Sequence, residues 1–292
     1  MKIRTLICVS VCALLFAFAL SADSMAAGKA KDRAKFELPV NAAQVAPNVY
    51  YLGKAKDKGR EVEGYAIVKH KGSPAKPTCG NGVCEAGETA KKCPADCGSG
   101  GAGDPGTSDC YGFLARGAKW KTVEPYMVDP TNIDGLTSGA VAGCLVYGIG
   151  EWENAAGADI LGDEIAAVLP LQADTVSPDD RNEVYFADVS DDGAIAITIV
   201  WGIFGGPPQG RELVEWDQIY DDVDFDWAGG DDPTRMDFVN IAIHELGHSC
   251  GLADLYDAKC SEQTMYGYAT EGETKKQTLE DGDIAGIRNL YK

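Results

Sequence analysis

Apolar residues along the chain fall into three patterns. Residues 6–20 form an unbroken uncharged run, preceded by Lys2 and Arg4 and followed by Ser21, Ala22, Ser24, Ala26 and Ala27. Fifteen apolar residues are short for a membrane span, and a positive start with small residues after the run is the pattern of an export signal cut near Ala26. A second pattern is β-branched and compact. Residues 183–188 and 194–204 (Ala-Ile-Ala-Ile-Thr-Ile-Val-Trp-Gly-Ile-Phe) read as strands, as do 50–53 and 62–68 with turn residues between them. The third is helical. Leu136, Val141, Leu145, Ile149 and Trp152 predict a helix over 135–152. Met236, Val239, Ile243 and Leu246 predict one over 235–250, with Thr234 and Asp237 as its capping box and Gly251 as its left-handed stop. Thr278 and Asp281, followed by Ile284, Ile287 and Tyr291, predict a terminal helix. Strands followed by a long helix, a loop and a last helix give an α+β domain.

Composition sets limits on this picture. The chain has 292 residues, 45% of them hydrophobic, enough for a real core. Its net charge is −19, which disfavours phosphate backbones and anionic lipid, so no nucleic-acid partner is expected. The charge is unevenly spread: 28–78 is net +6, whereas everything from Pro105 onward is net −24. A Gly-rich stretch, 98–109, reads as a flexible linker. Five parts follow: a signal peptide (1–26), a basic segment (27–78), a cysteine-rich module (79–97), the linker (98–109) and an acidic domain (110–292). The basic segment facing the acidic domain suggests a docking propeptide or a chaperoning arm; a solvated accessory region is the plainer alternative. A secreted protein is expected, or a periplasmic one in a Gram-negative host, monomeric and with no stable membrane insertion once the signal is removed.

Eight cysteines remain after the signal, an even number suited to disulfides in an oxidising compartment. Cys79, Cys84, Cys93 and Cys97 staple a module too small to bury a core. It resembles a short unit that recurs in secreted bacterial proteins. Its Glu85, Glu88 and Asp96 are either a solvated acidic face or oxygen ligands for calcium. Cys110, Cys144, Cys250 and Cys260 have no pairing fixed by sequence, although Cys250 and Cys260 are near enough to close a small loop.

The most informative stretch is His244-Glu245-Leu246-Gly247-His248-Ser249-Cys250-Gly251-Leu252-Ala253-Asp254. Histidines four apart share one helix face and can hold one metal. Glu245 is offset around the helix, suited to a water on that metal rather than to ligation. Catalytic zinc takes three protein ligands and keeps one open position. The chain has one other histidine, His70, far back in the basic segment. Gly251 lets the chain reverse and bring Asp254 to the metal, with Asp257 as the fallback ligand.

This run resembles the metzincin zinc signature, in the form where Asp replaces a third His, as in snapalysin-like proteases. The resemblance continues through Asp254-Leu255-Tyr256 and Cys260-Ser261-Glu262-Gln263-Thr264-Met265. Residues 279–291 resemble the closing helix of matrixins, and 195–201 and 215–220 their strands before the active-site helix. The resemblance covers roughly 110–292. It implies a metzincin-like fold with a twisted mixed sheet, an active-site helix, a Met-turn and a C-terminal helix. It also implies a zinc endopeptidase acting on protein or peptide substrates. His244, His248 and Asp254 would be the zinc ligands, Glu245 the general base, Tyr256 the oxyanion donor and Met265 the Met-turn residue. Strand 194–204 would pair with an extended substrate. Calcium at acid pairs such as Asp179-Asp180, Asp191-Asp192, Asp221-Asp222 or Asp231-Asp232 would fit the same family. Two departures stand out: a matrixin has His where Asp254 stands, and 28–78 contains no cysteine to act as a matrixin-type switch. A secreted binding protein with a structural zinc site is the rival reading.

Overall fold

The computed structural model describes residues 33–72, 110–230 and 232–292. The expected signal peptide, the cysteine-rich module and the linker lie outside them. In chain order the strands and α-helices are β1 (Lys35–Phe36), β2 (Ala43–Ala46), β3 (Val49–Asp57), β4 (Arg60–Lys71), β5 (Tyr126–Asp129), α1 (Ser138–Ala156), β6 (Glu164–Ile165), β7 (Asn182–Val189), β8 (Ala194–Ile203), β9 (Glu212–Asp221), β10 (Trp227–Ala228), β11 (Met236–Asp237), α2 (Phe238–Ser249), β12 (Tyr268–Ala269) and α3 (Asp281–Tyr291).

One mixed sheet dominates, in the order β2-β3-β4-β8-β9-β7-β5-β6, with β1 added on β7 and β12 on β4. β5, β6, β7 and β9 run parallel, while β8 is antiparallel to both its neighbours, β9 and β4. β8 is hydrophobic on both faces because both are covered. On one side Ala196 and Val200 join the helix-side core, with Leu145 and Trp152 from α1, Ile243 and Leu246 from α2, and Ile287 and Leu290 from α3. On the other, Ile197, Ile199 and Trp201 pack with Leu52, Val62 and Val68 of the β3–β4 hairpin and with Leu171.

Local details depart from the sequence expectations in three places. α2 begins at Phe238, and its cap is Asp237, whose carboxylate accepts from Asn240 N at 2.7 Å; Thr234 bonds instead to Asp232. Pairing of β11 with β10 keeps 236–237 extended, which delays the first helical turn. α3 begins at Asp281 with Glu280, not Thr278, at its N-cap, and the Asp283 carboxylate accepts from Glu280 N at 3.0 Å. Cys260 is bonded to Cys110, 150 residues away, and Cys250 is a buried thiol. Cys250 is the C-cap of α2 and is fully buried in the helix-side core. Among the described residues, no helix is long and apolar enough to cross a membrane.

Candidate metal centre

α2 carries His244, Glu245 and His248, and all three are fully buried. The chain reverses at Gly251, whose φ of 100° suits glycine, and returns with Asp254 facing the two rings. Asp254 Oδ1 lies 3.1 Å from His244 Nε2 and 3.6 Å from His248 Nε2. These three side chains form a compact group with ligand atoms within 4.8 Å of one another. Asp257 stands outside it, its carboxylate accepting from Lys259 N at 3.0 Å. His70 is also elsewhere, 3.1 Å from Asp191.

Each imidazole is oriented from behind. His244 Nδ1 donates to Thr264 O at 2.6 Å and His248 Nδ1 to Leu252 O at 2.9 Å, which leaves both Nε2 atoms as acceptors turned to the centre. His248 Nε2, Asp254 Oδ1 and Glu245 Oε1 are buried with no hydrogen-bond partner among the described residues. Three orphan acceptors on neighbouring buried residues are costly unless a cation or a bound donor satisfies them. The donor set, two imidazoles and one carboxylate, is one that zinc accepts with a position left open. The residues fit the ion.

Electrostatics follow from that crowding. Burial pushes His244 down to about 3, helped by the nearby Lys69 ammonium. Burial works against the charge on Asp254 as well, but the two histidines outweigh it and hold the carboxyl well below the usual range. Glu245 is raised by burial, against the pull of His248 and its hydrogen bond from Thr198. Thr198 Oγ1 donates to Glu245 Oε2 at 2.6 Å.

Met265 lies beneath α2. A Cβ on Gly247 would collide with Met265 Sδ and come within 2.7 Å of the Trp152 ring, so glycine here lets the methionine sit against the helix between the two histidines. The Thr264 and Met265 amides both donate to the Asp283 carboxylate, at 2.7 and 3.1 Å. Asp283 therefore ties α3 to the segment that orients His244. Tyr256 OH donates to Asp254 Oδ2 at 3.0 Å and accepts from Asn48 Nδ2 at 3.1 Å, so here it braces the carboxylate.

Sequence reasoning missed Lys69. Its side chain is fully buried in the site, with Nζ 2.7 Å from Tyr266 O and 3.1 Å from His244 Nε2. Burial, with Lys276 adding to it, pushes this ammonium down to about 7. The signal was present in the alternation of β4, since Tyr65 and Ile67 pack on the helix-side core and Lys69 shares their face. A second carboxylate group was missed too. Asp174, Glu215 and Asp217 cluster within 4.8 Å, and Glu215 Oε1 is buried without a partner among the described residues. Burial raises Glu215 to about 10 and Asp174 to about 6.

Residues 209–292 match the matrixin family model. That match covers β9 to β12, α2, the metal-facing loop and α3, and supports a metzincin-type zinc metallopeptidase. A mixed sheet with few helices is compatible with such a domain. No curated protein matches the chain.

Proposed function

We propose that the chain is a secreted zinc-dependent endopeptidase in which His244, His248 and Asp254 hold the ion and Glu245 is the general base. The observation that carries this reading is the His244–His248–Asp254 group, in which His248 Nε2 and Asp254 Oδ1 are buried without a partner among the described residues, together with the equally unpartnered Oε1 of the adjoining Glu245. A structural zinc site has no use for that last oxygen.

Zinc bound there would polarise the scissile carbonyl and lower the pKa of a water from 15.7 towards about 7. The chain's own groups do the rest. Glu245 Oε1 accepts the proton of the attacking water and delivers it to the leaving amine nitrogen. Thr198 fixes Oε2 of that carboxylate, so Oε1 keeps one orientation. Tyr256 OH, released from Asp254, would donate to the developing oxyanion. Burial of the helix face that carries His244, Glu245 and His248 over Met265 lowers the local dielectric, which strengthens each of these interactions. Calcium held by Asp174, Glu215 and Asp217 would neutralise the buried carboxylates between β9 and the loop before β7. Asp179 and Asp180 contribute through backbone amides that donate to Glu215 Oε2.

The test is Glu245→Gln assayed on casein with zinc content measured in parallel. Cleavage should vanish with zinc retained, whereas persistent cleavage rejects the mechanism. Asp254→Ala should lose zinc by metal analysis; full occupancy rejects the ligand assignment. Export predicts a mature N-terminus near residue 27 by mass spectrometry of the culture medium.

A further inference from the structure

We propose that β4 is an intramolecular occupant of the peptide-binding cleft, with the Lys69 amine plugging the metal pocket, so that the intact chain is latent. This rests on the peptidase reading above and extends it to regulation of the same site.

The edge of β8 opposite β9 is the one an extended substrate would use, and β4 already fills it. The two strands pair antiparallel from Glu63↔Gly202 to His70↔Ala194, with Lys69 opposite Ala196. On its far side β4 is met by the segment that follows Met265: Tyr268 pairs with His70 and Ala269 with Lys71. Residues 69–71 therefore run through the slot between β8 and the Met265 segment, directly beside the histidines. Lys69 is the residue that turns inward there. Its Nζ stands against the His244 Nε2 that must face the ion, anchored by Tyr266 O. A scissile carbonyl has no approach while that amine is in place.

The occupant is fitted to its seat. Gly64 lies against the Trp201 ring so closely that a Cβ would sit 2.7 Å from it. Asn48 and Pro47, in the turn between β2 and β3, both bond to the Tyr256 hydroxyl, at 3.1 and 3.4 Å. Charge complementarity holds the arm down: Arg33–Asp222, Lys58–Asp180, Arg60–Glu212 and Lys71–Glu271 all join the basic segment to the acidic domain at 2.5–2.8 Å. A polar amine buried among metal-facing histidines adds nothing to a core that aliphatic residues would fill better. As a plug it has a purpose. Because 28–78 holds no cysteine, scission of the chain between Gly72 and Cys79 would leave β4 held by these non-covalent contacts alone.

Two variants of the zinc-loaded full chain test this. Lys69→Met keeps the length of the stem and removes the amine. Arg60→Glu/Lys71→Glu, on exposed side chains, reverses charges that pin the hairpin. Acetohydroxamate binding is measured by calorimetry, and hydrolysis of a quenched fluorescent peptide is followed with intact mass checked throughout. Acetohydroxamate should bind Lys69→Met at least tenfold tighter than the parent at equal zinc content. The charge-reversed chain should cleave the peptide at least tenfold faster than the parent. If hydroxamate binding is unchanged and the intact parent cleaves as fast as the charge-reversed chain, occlusion is overturned while the peptidase reading stands. If hydroxamate binding rises but no form cleaves any peptide, occlusion stands and the peptidase reading falls.

Discussion

Thr198 Oγ1 sits 2.6 Å from Glu245 Oε2, joining the middle of β8 to the second residue of the His-Glu-x-x-His run. Strand and helix thus fix the base from two sides: its backbone belongs to α2, its carboxylate is aimed by the sheet. Thr198→Val keeps the shape and removes the donor, which leaves a buried carboxylate oxygen unsatisfied at a cost of about 1–3 kcal/mol. We expect kcat to fall roughly tenfold with zinc content unchanged, since 1.4 kcal/mol is a factor of ten. A kinetic constant equal to that of the parent would show that Thr198 does not aim the base.

Asp283 offers a second test, remote from the chemistry. Its two oxygens take the amides of Thr264 and Met265, and Thr264 O in turn orients His244. In Asp283→Ala those amides lose their acceptor, at about 1–3 kcal/mol each. A lower melting temperature and roughly tenfold weaker zinc binding are expected, in the range seen when groups behind a metal ligand are removed. A competitive chelator titration that gives the parent's affinity would rule out the link between α3 and His244.

Gly247 tests the floor of the site. Adding one methyl group forces Met265 or Trp152 to move, because both already touch the position. Overpacking of this kind costs about 1–3 kcal/mol. Thermal melting of Gly247→Ala should show that loss, and Met265→Ala should recover part of it in the double variant. Strict additivity of the two changes would mean that they do not touch.

The carboxylate cluster predicts a pH and calcium response. A carboxyl whose folded pKa is raised binds more protons folded than unfolded, so stability falls as pH climbs from its unfolded value. For Asp174 that window runs from about 4 to about 6, and for Glu215 from about 4 to about 10. Calcium should therefore raise the melting temperature more at pH 8 than at pH 5. Glu215→Gln, which keeps an oxygen for the amides of Asp179 and Asp180, should flatten the pH decline and lose the calcium response. An undiminished response in that variant places the ion elsewhere.

What the sequence determined by itself was everything carried by local period. The histidines four apart on an apolar helix face, the β-branched runs of β7 and β8, and glycine at the reversal after α2 all follow from spacing within a dozen residues. Helix caps were legible only to within a few residues, because β11 pairing, a contact outside the helix, decided where α2 begins. Asp254 emerged because the chain holds so few histidines, and the fold brings its carboxylate to the rings.

Long-range relationships were decided by tertiary structure alone. Lys69 meets His244 across 175 residues, Cys110 meets Cys260 across 150, and Asp174 meets Glu215 and Asp217 only once β7 and β9 lie side by side. None has a sequence period, since each depends on which strand lies beside which. The +6 of the basic segment against the −24 of the domain suggested contact, but not where it would fall. That was settled by register: with β4 laid antiparallel on β8, alternation turns residue 69 inward, and the charge that reaches the histidines is a lysine.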